Sequence, residues 1–362
     1  MQMNSSELKT MASTELNFNS TLNITTATNE SSCDNSGAQV LAYPFFIFGY
    51  TLVFLVSLVL NGFTLKIYFC RTQRNSNTVT VYLQNLAIAD LFLSLCLPLR
   101  IANYVVEEPA IRQMYCSFGA SAFYLNTYAS ILFMDYIAAN RYLKIVRPLE
   151  THTLQTPRAA RIISTITWTI LGGLSLVYTV ISLMSSRSSV LPHSIGCESL
   201  HSNRVSQLYK AVHTASAATF FFVLVSLVGL YHGTRRRLEQ AQRARQAQRS
   251  CQKLAKSKRN MLILVSVFCV CFVPYHLVRL PYAFLKDKLT CFAWAHAFFT
   301  LKEATVLLSV CNACLDPLIY FIFCKIFLIK QILVRCFRSQ KMSRGILICH
   351  LLLAGPTHLE MW

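Results

Sequence analysis

Charge is what this chain has least of. Asp, Glu, Lys and Arg make up 14% of its 362 residues, against about 25% in a soluble domain. Acids are scarcest, 15 against 34 Lys and Arg, a formal net charge of +19. So few charges leave a soluble surface uncovered, which excludes a soluble enzyme, a disordered chain and a disulfide-stapled miniprotein. No G-x-S-x-G or H-E-x-x-H occurs and the histidines show no ligand spacing, so nothing points to an intramembrane hydrolase or a metalloenzyme. An internal repeat of the kind found in many transporters is also missing. No apolar run precedes residue 43, so a cleaved signal peptide is not expected and the first span is expected to act as the signal.

What is present is apolar length. Hydrophobic residues make up 54% of the chain and its mean hydropathy is +0.43. The 14 cysteines do not change this reading, because most fall inside apolar runs, where Cys packs as a small hydrophobe. A spanning helix needs about 20 mostly apolar residues, and seven stretches qualify, at 43–70, 79–105, 115–143, 160–184, 209–233, 259–285 and 297–323. The expected fold is all-α, a seven-transmembrane helix bundle with a short amphipathic eighth helix at 325–338. Three regions follow: an extracellular glycosylated tail (1–42), the bundle (43–323), and the amphipathic helix with the cytoplasmic tail (324–362).

Basic residues orient the bundle, because cytoplasmic loops collect Lys and Arg. With residue 1 outside, segments 71–77, 144–161, 234–259 and 325–344 hold 22 of the 34 basic residues, against Glu150 and Glu239. The first 42 residues carry Glu7, Glu15, Glu30 and Asp34 against Lys9, and four N-x-S/T sequons at Asn4, Asn19, Asn23 and Asn29. That pattern fits glycosylation outside the cell. Segment 234–259 has ten basic residues and one acid. Tied to two membrane helices it cannot serve nucleic acid; it is expected to extend helices five and six toward anionic lipid and a cytoplasmic partner.

Polar residues inside spans are costly in lipid and functional by default. Asn61, Asp90, Ser130, Asn312 and Asp316 fall on four predicted helices and suggest a shared polar core. Pro274 and Pro317 each remove a helical hydrogen bond and make plausible hinges. His276, Arg279 and Tyr282 recur every third residue and climb one face of helix six. Arg100 and Lys302 lie near the outer ends of helices two and seven, so cations from three helices gather at one mouth. Such a well attracts anions, and Arg suits planar phosphate or carboxylate.

These residues resemble the rhodopsin-like (class A) G-protein-coupled receptors: Asn61, the LAIAD of 86–90, Cys116, NRY at 140–142, Trp168, CFVP ending in Pro274, and DPLIY at 316–320. The resemblance covers roughly 40–338. It implies a sodium-binding pocket of Asp90, Ser130, Asn312 and Asp316, with sodium an allosteric ion and no other cofactor. It also implies coupling to a heterotrimeric G protein through Asn140, Arg141 and Tyr142, a switch involving Pro274, Pro317 and Tyr320, and a Cys116–Cys197 disulfide. Within the class, FYLNTY at 123–128, FVPYHLVRLPY at 272–282 and LKEATVLLSVCNACLDPLIYF at 301–321 are most similar to the purinergic nucleotide receptor branch and its lipid-recognising relatives. That branch implies a ligand pocket of Arg100, Tyr124, Tyr128, His276, Arg279, Tyr282, Lys302 and Glu303, a second bridge, Cys33–Cys291, and a G protein of the inhibitory class. The first expectation is a plasma-membrane receptor for an extracellular anionic small molecule, nucleotide or nucleotide-like. A lysophospholipid or a ligand like platelet-activating factor is the alternative, and a transporter or channel a distant one.

Several positions depart from the family pattern. Asn140 replaces the acid that usually precedes the arginine, as in the platelet-activating factor receptor, and Leu254 stands where helix six often supplies another acid. Both changes predict elevated basal signalling. Asp135 is unusual in mid-helix three and reads either as a buried hydrogen-bonded acid or as a substitute partner for Arg141. Tyr178 replaces an Asn used by the ADP receptor, and Phe272 stands where Trp is commoner. Near the tail, only Ser339, Ser343 and Thr357 are available for phosphorylation, which predicts weak arrestin recruitment. Cys336 is placed for palmitoylation.

Overall fold

The computed structural model describes residues 36–72, 77–106, 108–146, 155–185, 197, 203–243, 248–285 and 292–323. The four sequons, Cys33, Cys291, the amphipathic segment and the tail lie outside the described residues. So do the side chains of Leu254 and Tyr320.

Seven helical rods follow one another, with no strand among the described residues. They are α1 (Ser36–Thr72), α2 (Thr78–Val105), α3, α4 (Pro157–Ser185), α5 (Asn203–Arg243), α6 (Gln248–Leu285) and α7. Two rods are composite. A short helix, Pro109–Met114, passes through a π-helical turn at Tyr115–Gly119 into Ala120–Val146, and the three pieces make α3. Phe292–Val310 and Asn312–Phe323 make α7, interrupted at Cys311. The start of α4 has a local cause: Pro157 occupies its first position, and Thr156 Oγ1 accepts from the Ala159 N–H at 3.2 Å, the usual helix-opening chemistry.

Rods α5 and α6 outrun the predicted spans at their facing ends, as the composition of segment 234–259 led us to expect. Arg, Gln, Ala and Glu are strong helix formers, so helix continues where hydropathy has already fallen. An exposed Arg235–Glu239 pair at 2.8 Å, one turn apart, lies on this extension.

Within the described residues, six rods are long and apolar enough to cross a membrane. The exception is α3, which buries Ser121, Asn126, Thr127, Ser130 and Asp135. It runs through the centre of the main core cluster, where Ile131, Phe133, Met134 and Ile137 meet Leu86, Phe220, Leu264 and Phe268. A helix surrounded by other helices needs no apolar coat against lipid. The opposite case is α4, which turns Ile162, Ile166, Ile170 and Leu174 outward. A second cluster of Phe46, Tyr50, Leu97, Phe123, Tyr275 and Val306 joins α1, α2, α3, α6 and α7 near one end and forms the floor of the charged site.

Candidate functional site

Inside the bundle the polar residues meet. Ser130 Oγ donates to Asp90 Oδ1 at 3.0 Å, and Asn312 Nδ2 to Asp316 Oδ2 at 2.8 Å. The carboxyls of Asp90 and Asp316 face each other, and both residues are fully buried. Pro317 has no N–H for the carbonyl four residues back, and that Ala313 oxygen accepts from Asn61 Nδ2 at 2.8 Å. A buried orphan carbonyl is thus repaired by a side chain from α1. Oxygens fit for a hard cation remain: Asp316 Oδ1 and Asn312 Oδ1 are buried without a hydrogen-bond partner among the described residues.

Asp135 is a buried hydrogen-bonded acid, with Ser226 Oγ on α5 donating to its Oδ1 at 2.8 Å. That settles the alternative left open by its sequence position in favour of an α3–α5 tie. Trp168 Nε1 donates to Asn85 Oδ1 at 2.9 Å and ties α4 to α2.

At the other end of the second cluster, the expected cations converge. Glu303 on α7 is the hub. Its carboxylate accepts from Arg100 Nη2 at 2.5 Å, Lys302 Nζ at 2.9 Å and Tyr104 OH at 2.5 Å, with Tyr50 OH at 3.5 Å. Arg100, Lys302 and Glu303 are all buried, so the Arg100 guanidinium points into the bundle and not out to lipid headgroups. Rings shield the charges: Arg100 lies 4.8 Å over Tyr50 and 5.2 Å over Phe123, and Lys302 lies 3.9 Å over Phe299. Such contacts stabilise cations withdrawn from water.

Arg279 on α6 completes the group. Its Nε donates to His213 Nε2 at 3.0 Å and its Nη2 to Tyr124 OH; the guanidinium lies 5.5 Å over Tyr209 and 6.0 Å over Tyr282. Arg100, Arg279 and Lys302 carry three formal positive charges against the one negative charge of Glu303. They line a cavity of about 50 Å³ together with Tyr104, Tyr115, Tyr124, Tyr178, Tyr209 and Cys197. Cys197 is bridged to Cys116 in the π-helical turn of α3, which fixes Cys197 at this mouth.

An apolar cleft of about 350 Å³ adjoins the charged cavity between α3, α4 and α5. Leu125, Leu132, Leu171, Leu174, Ala211 and Ala215 line it, and Tyr124 and Tyr178 belong to both spaces. Not every expected pocket residue reaches the charged cavity. Tyr128 faces the apolar cleft. His276 lies deeper, its Nε2 accepting from Tyr128 OH at 2.9 Å and its ring stacked on Phe220 at 3.9 Å.

Residues 61–320 match the 7 transmembrane receptor (rhodopsin family) pattern. The chain belongs to that family. The receptor is 32% identical to mouse G-protein coupled receptor 87 over 280 residues, 77% of this chain and 76% of the relative. It is 31% identical to bovine purinoceptor 14 over 282 residues, 77% and 81% of the two chains. With mouse probable G-protein coupled receptor 34 it shares 29% identity over 303 residues, 80% and 77% of the two. The receptor is therefore not an enzyme, and its bundle and Cys116–Cys197 disulfide are those the sequence led us to expect.

Several residues of the receptor's mouth escaped the sequence reading. Tyr50, Tyr104, Tyr209 and His213 all touch the ionic group. Tyr209 and His213 stand one turn apart on α5, a spacing that places them on one face. Nothing local marks that face as the one meeting Arg279, 66 residues later.

Proposed function

We propose that the receptor binds an extracellular anionic ligand at Arg100, Arg279 and Lys302 and promotes nucleotide exchange on a heterotrimeric G protein of the inhibitory class. The carrying observation is the convergence of these three cations, from α2, α6 and α7, on one cavity with a single carboxylate among its described residues. Ligand and G protein act through one equilibrium: each favours the same arrangement of α6, so each strengthens the other.

Size decides what else the ligand carries. The charged cavity accommodates little beyond an acidic group, whereas the adjoining cleft is apolar and several times larger. An anionic lipid, with its acid among the cations and its chain between α3, α4 and α5, uses both. The second reading is a nucleotide, favoured by the tyrosines around the cations and by likeness to a purinoceptor.

The test is G-protein activation by a panel of nucleotides and lysophospholipids on cells expressing the receptor. Arg279→Ala and Lys302→Ala should each lower potency about tenfold or more at unchanged surface expression, a loss of about 1.4 kcal/mol, in the range of one charge-assisted bond. Unchanged potency in both variants removes the anion site. Ala215→Phe, which fills the cleft, should weaken a lipid agonist and spare a nucleotide; the reverse outcome favours the nucleotide.

A further inference from the structure

We infer that His213 is a positioning residue for the anion site: it holds Arg279 by its Nε, so that the guanidinium presents its Nη edge to the ligand's acid. The inference rests on the reading that Arg279 meets that acid.

The protonation pattern of His213 follows from its neighbours. Nδ1 lies 3.0 Å from the carbonyl oxygen of Tyr209; a carbonyl only accepts, so Nδ1 carries the proton. In a neutral ring Nε2 is then the acceptor, and Arg279 Nε stands 3.0 Å from it. The ring cannot swing easily. It stacks on Tyr209 at 4.1 Å and 28°, and meets the Tyr124 ring edge-on at 5.2 Å, and the residue is buried.

Arg279 therefore donates to an acceptor on each of two neighbouring rods, His213 Nε2 on α5 and Tyr124 OH on α3. Those two contacts orient the guanidinium. A planar fork loses little freedom on binding when one edge is already fixed, so the histidine contributes to affinity through Arg279 rather than by touching the ligand.

Potency for two probes, ADP and 1-oleoyl-lysophosphatidylserine, should be measured on His213→Phe, His213→Gln, Arg279→Ala and the His213→Phe/Arg279→Ala double variant, with surface expression monitored. His213→Phe keeps the ring stack and removes the acceptor; it should lower potency about tenfold. His213→Gln places an amide oxygen near the site of Nε2 and should stay within about threefold of wild type. On the Arg279→Ala background, His213→Phe should add less than about twofold, because contacting residues are not additive. A purely packing role predicts the opposite order, a larger loss in Gln, which breaks the ring stack, than in Phe, with additive losses in the double variant; that outcome overturns the proposal. If Arg279→Ala is itself silent, or neither probe activates, the anion-site reading fails instead. The His213 contact is then decided without ligand by nitrogen resonances of 15N-histidine receptor, assigned with His213→Gln. An unprotonated Nε2 that shifts in Arg279→Lys supports the contact, and a protonated Nε2 rules it out.

Discussion

A Cβ built on Gly233 of α5 would stand 2.5 Å from Cε2 of the Tyr142 ring, so the last residue of the NRY sequence rests against bare backbone. Gly233→Ala obliges that ring to move, and ligand-stimulated nucleotide exchange should fall. Gly229, one turn earlier, has nothing within 4 Å of the same added atom; Gly229→Ala should leave exchange intact and gain about 0.5–1 kcal/mol of helix stability. Equal behaviour of the two variants would remove the packing argument. The neighbouring Asn140 is buried, and its Oδ1 has no partner among the described residues. An amide there cannot bind Arg141 as a carboxylate does, so Asn140→Asp should lower ligand-free exchange severalfold; no drop removes the idea of elevated basal signalling. At this scale the sequence was legible where a residue is costly wherever it lands, as with Arg100, Arg279 and Lys302 in apolar helices. It was illegible where a role depends on the partner: His213 looks like any helical histidine until α6 is placed beside it.

Among the elements, α7 combines a break with a cluster of acceptors. Its Pro317 leaves the Ala313 carbonyl to Asn61, and Asp316, hydrogen-bonded by Asn312, faces Asp90 on α2, which in turn accepts from Ser130 on α3. Two facing carboxyls in a dry interior repel each other unless a cation or a proton sits between them. We propose sodium. The ion would hold together the helices that supply the oxygens, so its removal should loosen α7 and raise ligand-free nucleotide exchange. Replacing sodium chloride with N-methylglucamine chloride should produce that rise in the wild type and none in Asp90→Asn; sensitivity retained in the variant would place the ion elsewhere. All seven rods could be read from runs of apolar residues, but not their ends. Hydropathy marks where lipid stops, whereas α5 and α6 stop where helix-forming residues do. The interruption at Cys311 was not visible either, because no glycine or proline stands there; its carbonyl instead accepts from the Cys314 N–H at 3.0 Å in a tightened turn.

For the molecule as a whole, the apolar and polar inventories are sorted by opposite rules. Large apolar side chains such as Phe222 and Val225 face outward with 72% exposure, while Asp90, Ser94, Asn61 and Asp316 are wholly buried. That inversion is what lipid demands, because unpaired polar groups facing hydrocarbon are costly. The basic residues then supply what the inversion cannot, a direction. Of the 34, 22 fall in the four segments assigned to one side, and the sequons fall on the other. Juxtamembrane Lys and Arg resist translocation and are drawn to anionic lipid, so the N-terminus should be outside and the basic extensions of α5 and α6 inside. An epitope tag before residue 1 should stain intact cells, and one after residue 362 should stain only permeabilised cells. Glycosidase should increase the mobility of the wild type, and the Asn4, Asn19, Asn23 and Asn29→Gln variant should migrate like the digested protein. Staining of the C-terminal tag on intact cells would reverse the bundle. It would also place the cavity of Arg100, Arg279 and Lys302 at the cytoplasmic face, where an extracellular anion never arrives.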